Sequence, residues 1–135
     1  MKRIIVFGIF LISTAGEVAA DCSSRPVSPL QRFLINRTAC ATKDNGDKWQ
    51  EFHQAGGALI DYKRGPNDPV DPTKQVGTWL VGPSSRVCYD YGSGGKYCYT
   101  VHSIGNAKYE FCPEGQTTPD VVVNFVGGNV GCGFN

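Results

Sequence analysis

The chain carries almost no net charge, because its 13 basic side chains nearly balance its 12 acidic ones. After residue 20 the only adjacent basic pair is Lys63-Arg64, and no aromatic run is interleaved with arginines. Proteins that bind nucleic acids neutralise backbone phosphates with a basic patch or stripe. We therefore expect no nucleic-acid partner.

Long hydrophobic runs are absent after residue 20. The one apolar stretch, Ile4–Ala15, follows two basic residues and precedes small residues that end at Ala20. This is the pattern of a secretory signal peptide, and the stretch is shorter than the roughly 20 residues of a membrane-spanning helix. We expect 1–20 to be a bacterial signal peptide and 21–135 to form one secreted or periplasmic domain that does not insert into membranes after cleavage.

The spacings that mark common metal and phosphate sites are also missing. The two histidines, His53 and His102, do not form a His-x-x-x-His pattern, and there is no Cys-x-x-Cys. The glycine-rich stretches 92–95 and 127–131 do not open a predicted helix, so they are not anion-binding loops. We expect neither a metal nor another cofactor.

What the chain does contain is an even set of cysteines, all after the leader. Such a set in an oxidising compartment is typical of disulfides that hold a small fold together. The sequence thus predicts three disulfides, and the count alone leaves their pairing open. The cysteines are Cys22, Cys40, Cys88, Cys98, Cys112 and Cys132.

Glycine and proline cluster between short aromatic or β-branched runs, which is typical of strands joined by turns. One helical turn is predicted over Ser28–Leu34, with Ser28 as N-cap. Short connections favour an all-β, single-domain, up-and-down antiparallel meander that closes into a small calycin-like barrel. The predicted strands are Arg37–Thr42, Lys48–His53, Ala58–Lys63, Val76–Val81, Arg86–Tyr91, Lys96–His102, Lys108–Cys112 and Val121–Phe125.

The hairpin centred on Ser93 gives the clearest register. Cys88 and Cys98 lie five positions on either side of Ser93, so they face each other, which predicts a disulfide between them. Two further bridges are then expected, Cys112–Cys132 and, by elimination, Cys22–Cys40.

The same register places four tyrosines on the opposite face of the hairpin, with Tyr109 and Phe111 continuing that face on the next strand. One interpretation is core packing, and the other is a binding wall for a ligand or a protein partner. The four tyrosines are Tyr89, Tyr91, Tyr97 and Tyr99.

The stretch Gly65–Lys74 contains three prolines, which cannot donate ladder hydrogen bonds, and it is expected to be an ordered surface loop. Its Asp68 and Asp71, together with Trp49, Trp79 and the four tyrosines, make up the candidate ligand or partner surface.

Glu51 and His53 lie two residues apart, on one face of a predicted strand. Such a pair has the composition of an acid–base site. A polar pair on the solvent side of a strand has the same spacing, and that interpretation is preferred. We therefore expect the protein not to be an enzyme.

The residues Trp49–Pro66, continued by Asp68–Pro72 and Gly77-Thr78-Trp79, resemble a group of small secreted or periplasmic proteobacterial β-domain proteins of unassigned function. Gly77-Thr78-Trp79 also weakly resembles the Gly-x-Trp motif of lipocalin-like folds, although it lies in the fourth predicted strand rather than the first. The resemblance implies an exported bacterial β-domain and carries no catalytic residues over.

Three functions follow as hypotheses. The first is a noncatalytic, monomeric binding protein that presents its loop or tyrosine face to a protein partner, and an inhibitor is one version of it. The second is a barrel that holds a small apolar ligand. The third is an enzyme that uses Glu51 and His53.

Overall fold

A computed structural model describes residues 20–61 and 74–134, which form a closed barrel of eight antiparallel strands. Each strand pairs with the next one in the chain, and the last pairs with the first. This confirms the predicted all-β meander. The elements are α1 (Leu30–Leu34), β1 (Arg37–Thr42), β2 (Lys48–His53), β3 (Ala58–Asp61), β4 (Lys74–Gly82), β5 (Arg86–Asp90), β6 (Lys96–Gly105), β7 (Lys108–Pro113) and β8 (Val121–Gly127).

The predicted strand bounds differ from the observed ones mainly at the strand ends. β1 and β2 have the predicted bounds, whereas β6 runs to Gly105 rather than His102 and β4 begins at Lys74 rather than Val76. The expected loop Gly65–Lys74 lies outside the described residues except for Lys74. The proposed signal peptide lies outside them except for Ala20.

The short helix α1 closes one end of the barrel, which we call the helix end. Leu30 and Leu34 are buried in the core and α1 contacts β4 and β5. The expected N-cap Ser28 is wrong, because the N-cap position is Pro29, whose backbone is extended (ψ 123°) and does not enter the helix. The turns 43–47, 91–95 and 114–120 lie at the opposite end, which we call the pocket end.

The N-terminal segment pairs with the part of β6 that β5 does not reach. β5 pairs with β6 only up to Tyr99, whereas β6 continues to Gly105. Beyond that point Pro26 forms a bridge with His102, and the Val27 amide donates to the Val101 carbonyl at 2.7 Å. The segment thus occupies a stretch of strand edge that barrel closure leaves open.

Every second side chain along each strand points into the barrel, and these side chains form the hydrophobic core. Trp79 is buried in this core and its indole N–H donates to the Gln54 carbonyl in the turn between β2 and β3. It therefore lies toward the helix end. The buried members of the core are Leu30, Leu34, Ala39, Ala41, Leu59, Trp79, Val87, Tyr89, Val101, Phe111 and Val123.

All six cysteines form disulfides, as predicted. The Cys88–Cys98 pairing and its register are confirmed. The other two predicted pairings are wrong, because the bridges are Cys22–Cys112 and Cys40–Cys132.

The two wrong pairings have a structural reason. Closure of the barrel brings β8 beside β1, so the tail that follows β8 returns over the outer face of β1 and reaches Cys40. Cys112 faces outward on β7, where the N-terminal segment covers it; the Cys22 amide there donates to Glu110 Oε1. Each long bridge therefore ties a terminal segment to the outside of the barrel.

Three disulfides indicate a non-reducing, extracellular type of environment. Within the described part of the chain, no helix has the length and apolar character needed to cross a bilayer.

Gly77 is required by the close approach of β4 to β5. A Cβ atom at this position would overlap the carbonyl oxygen of Asp90, a backbone atom that cannot rotate away. We expect Gly77→Ala to lower the free energy of unfolding by about 1 to 3 kcal/mol, as overpacking does. Urea denaturation followed by circular dichroism measures this change.

The matched control for Gly77→Ala is Gly82→Ala, on the same strand. A Cβ atom at Gly82 has nothing within 4 Å, and its backbone is extended, which alanine adopts readily. This control should change stability by no more than about 0.5 kcal/mol. Equal effects at the two positions would contradict the close-approach argument.

Candidate functional site

The predicted tyrosine face of the β5–β6 hairpin points into the barrel. Tyr89 is only 4% exposed, whereas Tyr91 and Tyr99 are half-buried. Tyr97 lies at the rim of the pocket end, where it is 47% exposed and its hydroxyl donates to the Gly94 carbonyl. Three of the four tyrosines are therefore interior residues rather than a surface for a protein partner.

Glu51 and His53 also face the interior, so the preferred interpretation of a solvent-facing pair is wrong. Glu51 pairs across the ladder with Asp61, and His53 pairs with the fully buried Leu59. His53 is itself 1% exposed. Glu51 and His53 thus lie on the inward face of β2, and His53 contacts Tyr89 of β5.

Two hydrogen bonds fix the tautomer of His53. Its Nδ1–H donates to the Arg37 carbonyl at 3.2 Å, because a carbonyl oxygen only accepts. Nε2 therefore accepts from the Tyr89 hydroxyl, at 2.7 Å. Burial lowers the pKa of His53 from 6.5 to about 4, and the bond to Arg37 opposes this shift. The ring is neutral at physiological pH, with both nitrogens engaged.

Glu51 is held by Tyr91. The tyrosine hydroxyl lies 3.0 Å from Oε1 and 3.1 Å from Oε2, and it donates to the carboxylate. Burial raises the pKa of Glu51 from 4.5 to about 7; the Tyr91 bond opposes this shift and the charge of Asp61 adds to it. The carboxyl group therefore changes charge near neutral pH.

The tyrosine hydroxyls of the interior remain neutral. Burial raises the pKa of Tyr89 and of Tyr91 above the ordinary value, and the charge of Glu51 adds to both shifts. Burial also raises the pKa of Tyr99, which hydrogen-bonds Asp120. Their rings present π faces and hydroxyl donors, without negative charge of their own.

These side chains surround a cavity of about 100 Å³ inside the barrel. Trp49, Tyr91 and Val121 are half-buried and lie near strand ends at the pocket end. His53, the last residue of β2, lies deeper and packs edge-on against Trp79, with 5.3 Å between ring centroids. The lining residues are Ala39, Trp49, Glu51, His53, Tyr89, Tyr91, Tyr99, Phe111 and Val121.

The cavity brings together four of the eight residues that were predicted to form a ligand or partner surface. Trp49, Tyr89, Tyr91 and Tyr99 line it, whereas Trp79 lies below it and Tyr97 outside it. Asp68 and Asp71 lie outside the described residues.

Sequence reasoning did not place Ala39 and Val121 in a site, whereas it did place Phe111 on the tyrosine face that lines the cavity. It also dismissed Glu51 and His53 as solvent-facing. The sequence contained a signal for Glu51 and His53. Side chains two residues apart on a strand point to the same face, so both residues share a face with Trp49. An inward-facing Trp49 would therefore have placed Glu51 and His53 inside the barrel.

The donor set does not favour a metal ion. Among residues 20–61 and 74–134, the one cluster of three potential ligands is Cys22, Glu110 and Cys112. Its two cysteines are bonded to each other, so neither offers a thiolate. The cluster also lies on the outer face of β7, away from the cavity.

Comparisons with models of protein families, with curated proteins and with solved structures found no match. The resemblance to proteobacterial β-domain proteins therefore stays a prediction.

Proposed function

We propose that this protein is a noncatalytic, secreted or periplasmic binding protein that holds a small ligand inside its barrel. The observation that carries the proposal is the cavity lined by Glu51 and five aromatic rings. Concave sites with apolar walls and a few fixed polar groups are the usual form of small-ligand sites. Eight-stranded barrels have interiors of the size that takes side chains or one small ligand.

The cavity constrains the size and the polarity of the ligand. An engineered cavity of about 150 Å³ takes benzene, so about 100 Å³ accommodates about four to five heavy atoms. Among the described residues, the half-buried Trp49, Tyr91 and Val121 line the cavity toward the pocket end, so a longer ligand would extend in that direction. The carboxylate of Glu51 and the hydroxyl of Tyr91 make the site amphipathic, so a purely apolar ligand fits less well than expected from the tyrosines alone.

The tyrosines point into the barrel, which favours binding of a small ligand over binding of a protein partner. Only Tyr97 of the four offers an exposed ring. Secretion is supported by the disulfides and by the signal-peptide pattern of residues 1–20.

The hydrogen bonds favour binding over catalysis. Acid–base chemistry needs a group that is free to exchange a proton with substrate. His53 has both nitrogens engaged by Arg37 and Tyr89, so it has no nitrogen free to exchange a proton with a substrate, and Glu51 bonds Tyr91 rather than His53. The two residues thus belong to separate hydrogen-bonded pairs, which gives His53 a structural role.

A ligand-observed NMR screen tests the proposal with neutral, cationic and anionic compounds of up to about eight heavy atoms. We expect at least one class to bind the wild type. Val121→Trp, which fills the cavity mouth, should abolish that binding. The control Val122→Trp places the same ring on the outer face of the same strand and should preserve it.

Two results would contradict the proposal. One is the absence of any binder to the folded wild type. The other is equal loss of binding in both valine variants with their far-UV and near-UV circular dichroism unchanged.

A further inference from the structure

We infer that the cavity recognises the ammonium group of a small organic cation. This inference rests on the proposed function and adds the ligand class. Three features of the cavity carry it: the charge of its lining, the arrangement of its aromatic rings, and the small number of its potential metal ligands.

The charge of the lining favours a cation. Glu51 supplies a carboxylate, and Asp61 faces the same interior from the neighbouring strand. None of the nine described lining residues is lysine or arginine, and His53 is neutral. An anion entering this space would meet like charge, whereas a cation would compensate the buried carboxylate.

The aromatic walls favour an organic cation. Five of the nine lining residues are aromatic: four lie on β2, β5, β6 and β7, and Tyr91 follows β5 directly. The ring centroids of Tyr89 and Tyr99 lie 6.1 Å apart, and those of Tyr99 and Phe111 lie 5.8 Å apart, so neighbouring rings contact each other and form a continuous aromatic wall. Ammonium and methylated ammonium groups bind the faces of such rings through cation–π attraction, and tyrosine and tryptophan are among the best donors of a π face.

The number of charged ligands argues against a metal ion. Calcium takes six to eight oxygen ligands and magnesium demands six in a strict octahedron. Within the described residues, the cavity brings no three metal-ligating side chains together. One carboxylate within aromatic walls suits the diffuse charge of an ammonium group better.

The pH dependence follows from the groups around Glu51. Those groups are His53 on β2, Asp61 on β3, Tyr89 on β5, Tyr91 directly after β5, and Tyr99 on β6 with its partner Asp120. His53 and the tyrosines stay neutral between pH 5.5 and 8.5, because burial lowers the pKa of the histidine and raises the pKa values of the tyrosines. Of Glu51, His53 and the tyrosines, Glu51 is the group that changes charge in this range.

The direction of the pH dependence of cation binding follows from the linkage between binding and the ionisation of Glu51. With a pKa of about 7, Glu51 is mostly protonated at pH 5.5 and mostly ionised at pH 8.5. A cation that binds only the ionised form should bind up to about 30-fold more tightly at the higher pH. Conversely, the bound cation should lower the pKa of Glu51.

Isothermal titration calorimetry with choline and its neutral isostere 3,3-dimethylbutan-1-ol tests the inference. The two probes have nearly the same shape and differ in charge. At pH 8.5 we expect choline to bind the wild type at least about tenfold more tightly than the alcohol. Glu51→Gln should weaken choline binding at least about tenfold and change alcohol binding by less than about twofold.

The control variant is Glu114→Gln, which removes the same unit of charge from an exposed side chain paired with Arg86. It should leave choline binding unchanged. The inference is overturned if choline fails to bind, if both probes bind equally, or if Glu51→Gln leaves choline affinity intact. In each of these cases, the proposed function would still be supported if the wild type binds a ligand of another class and Val121→Trp abolishes that binding.

Discussion

Removing the Cys40–Cys132 bridge, by replacing both cysteines with alanine, is expected to lower the free energy of unfolding by about 4 kcal/mol. With Cys22–Cys112 intact, this bridge closes a loop of about 38 residues, from Cys22 to Cys40 and from Cys112 to Cys132, whereas Cys88–Cys98 joins residues only 10 apart. A cross-link stabilises the native state mainly by restricting the unfolded chain, and this restriction grows with the logarithm of the closed loop. The same calculation gives about 3 kcal/mol for the Cys88–Cys98 bridge.

Urea denaturation of the two double variants tests this order, with wild type as reference and all remaining bridges kept oxidised. The variant without the Cys40–Cys132 bridge should also show the larger increase in m-value, because its unfolded state exposes more additional surface. It loses the anchor of the C-terminal tail as well, where the Cys132 amide donates to Gln50 Oε1. A larger cost for the hairpin bridge would contradict the loop-length argument.

Glu51→Gln is expected to leave stability nearly unchanged at pH 4 and to raise it by about 3 kcal/mol at pH 8. The pKa of Glu51 rises from 4.5 to about 7 on folding, a difference worth about 3 kcal/mol. Below pH 4.5 the group is protonated in both states and costs nothing. As pH rises through 4.5 to 7, the unfolded state ionises first, so wild-type stability falls. Glutamine avoids that cost and still accepts from Tyr91.

His53 contributes the opposite slope. Its pKa falls from 6.5 to about 4 on folding, so between these values the unfolded state binds more protons and stability rises with pH. Between pH 4.5 and 6.5 the contributions of Glu51 and His53 cancel. The wild type should therefore show a flatter stability profile in this window than Glu51→Gln does.

The measurement is a series of urea denaturations from pH 4 to pH 8 on wild type, Glu51→Gln and His53→Gln. The difference between Glu51→Gln and wild type should grow with pH, whereas the difference between His53→Gln and wild type should become less favourable with pH. Parallel profiles for Glu51→Gln and wild type would show that folding does not raise the pKa of Glu51.

The sequence predicted the parts of the fold that depend on local pattern. The Cys88–Cys98 hairpin was predictable because its turn, alternation and register lie within a few residues. Strand β2 was harder, because both of its faces are buried. Gln50 points outward but is covered by the C-terminal tail, while His53 points inward. Polarity therefore did not distinguish the inner face from the outer one.

The long disulfides could not be predicted for a different reason. Their pairing depends on which segments barrel closure brings together. Cys40 meets Cys132 only because β8 pairs with β1, and Cys22 reaches Cys112 only because the N-terminal segment crosses the outside of β7. The cavity depends on closure as well, since it takes residues from strands at opposite ends of the sequence.

The unequal lengths of β5 and β6 have a consequence for solubility. A closed barrel protects its strands from pairing with other molecules, but here β6 continues past Tyr99 without β5 beside it. Open strand edges are templates for aggregation. The bridge from Pro26 to His102 and the Val27 amide occupy this edge, and the Cys22–Cys112 bond holds the segment in place. Protection against intermolecular β-pairing therefore depends on the N-terminal segment, and reduction of one disulfide would weaken it.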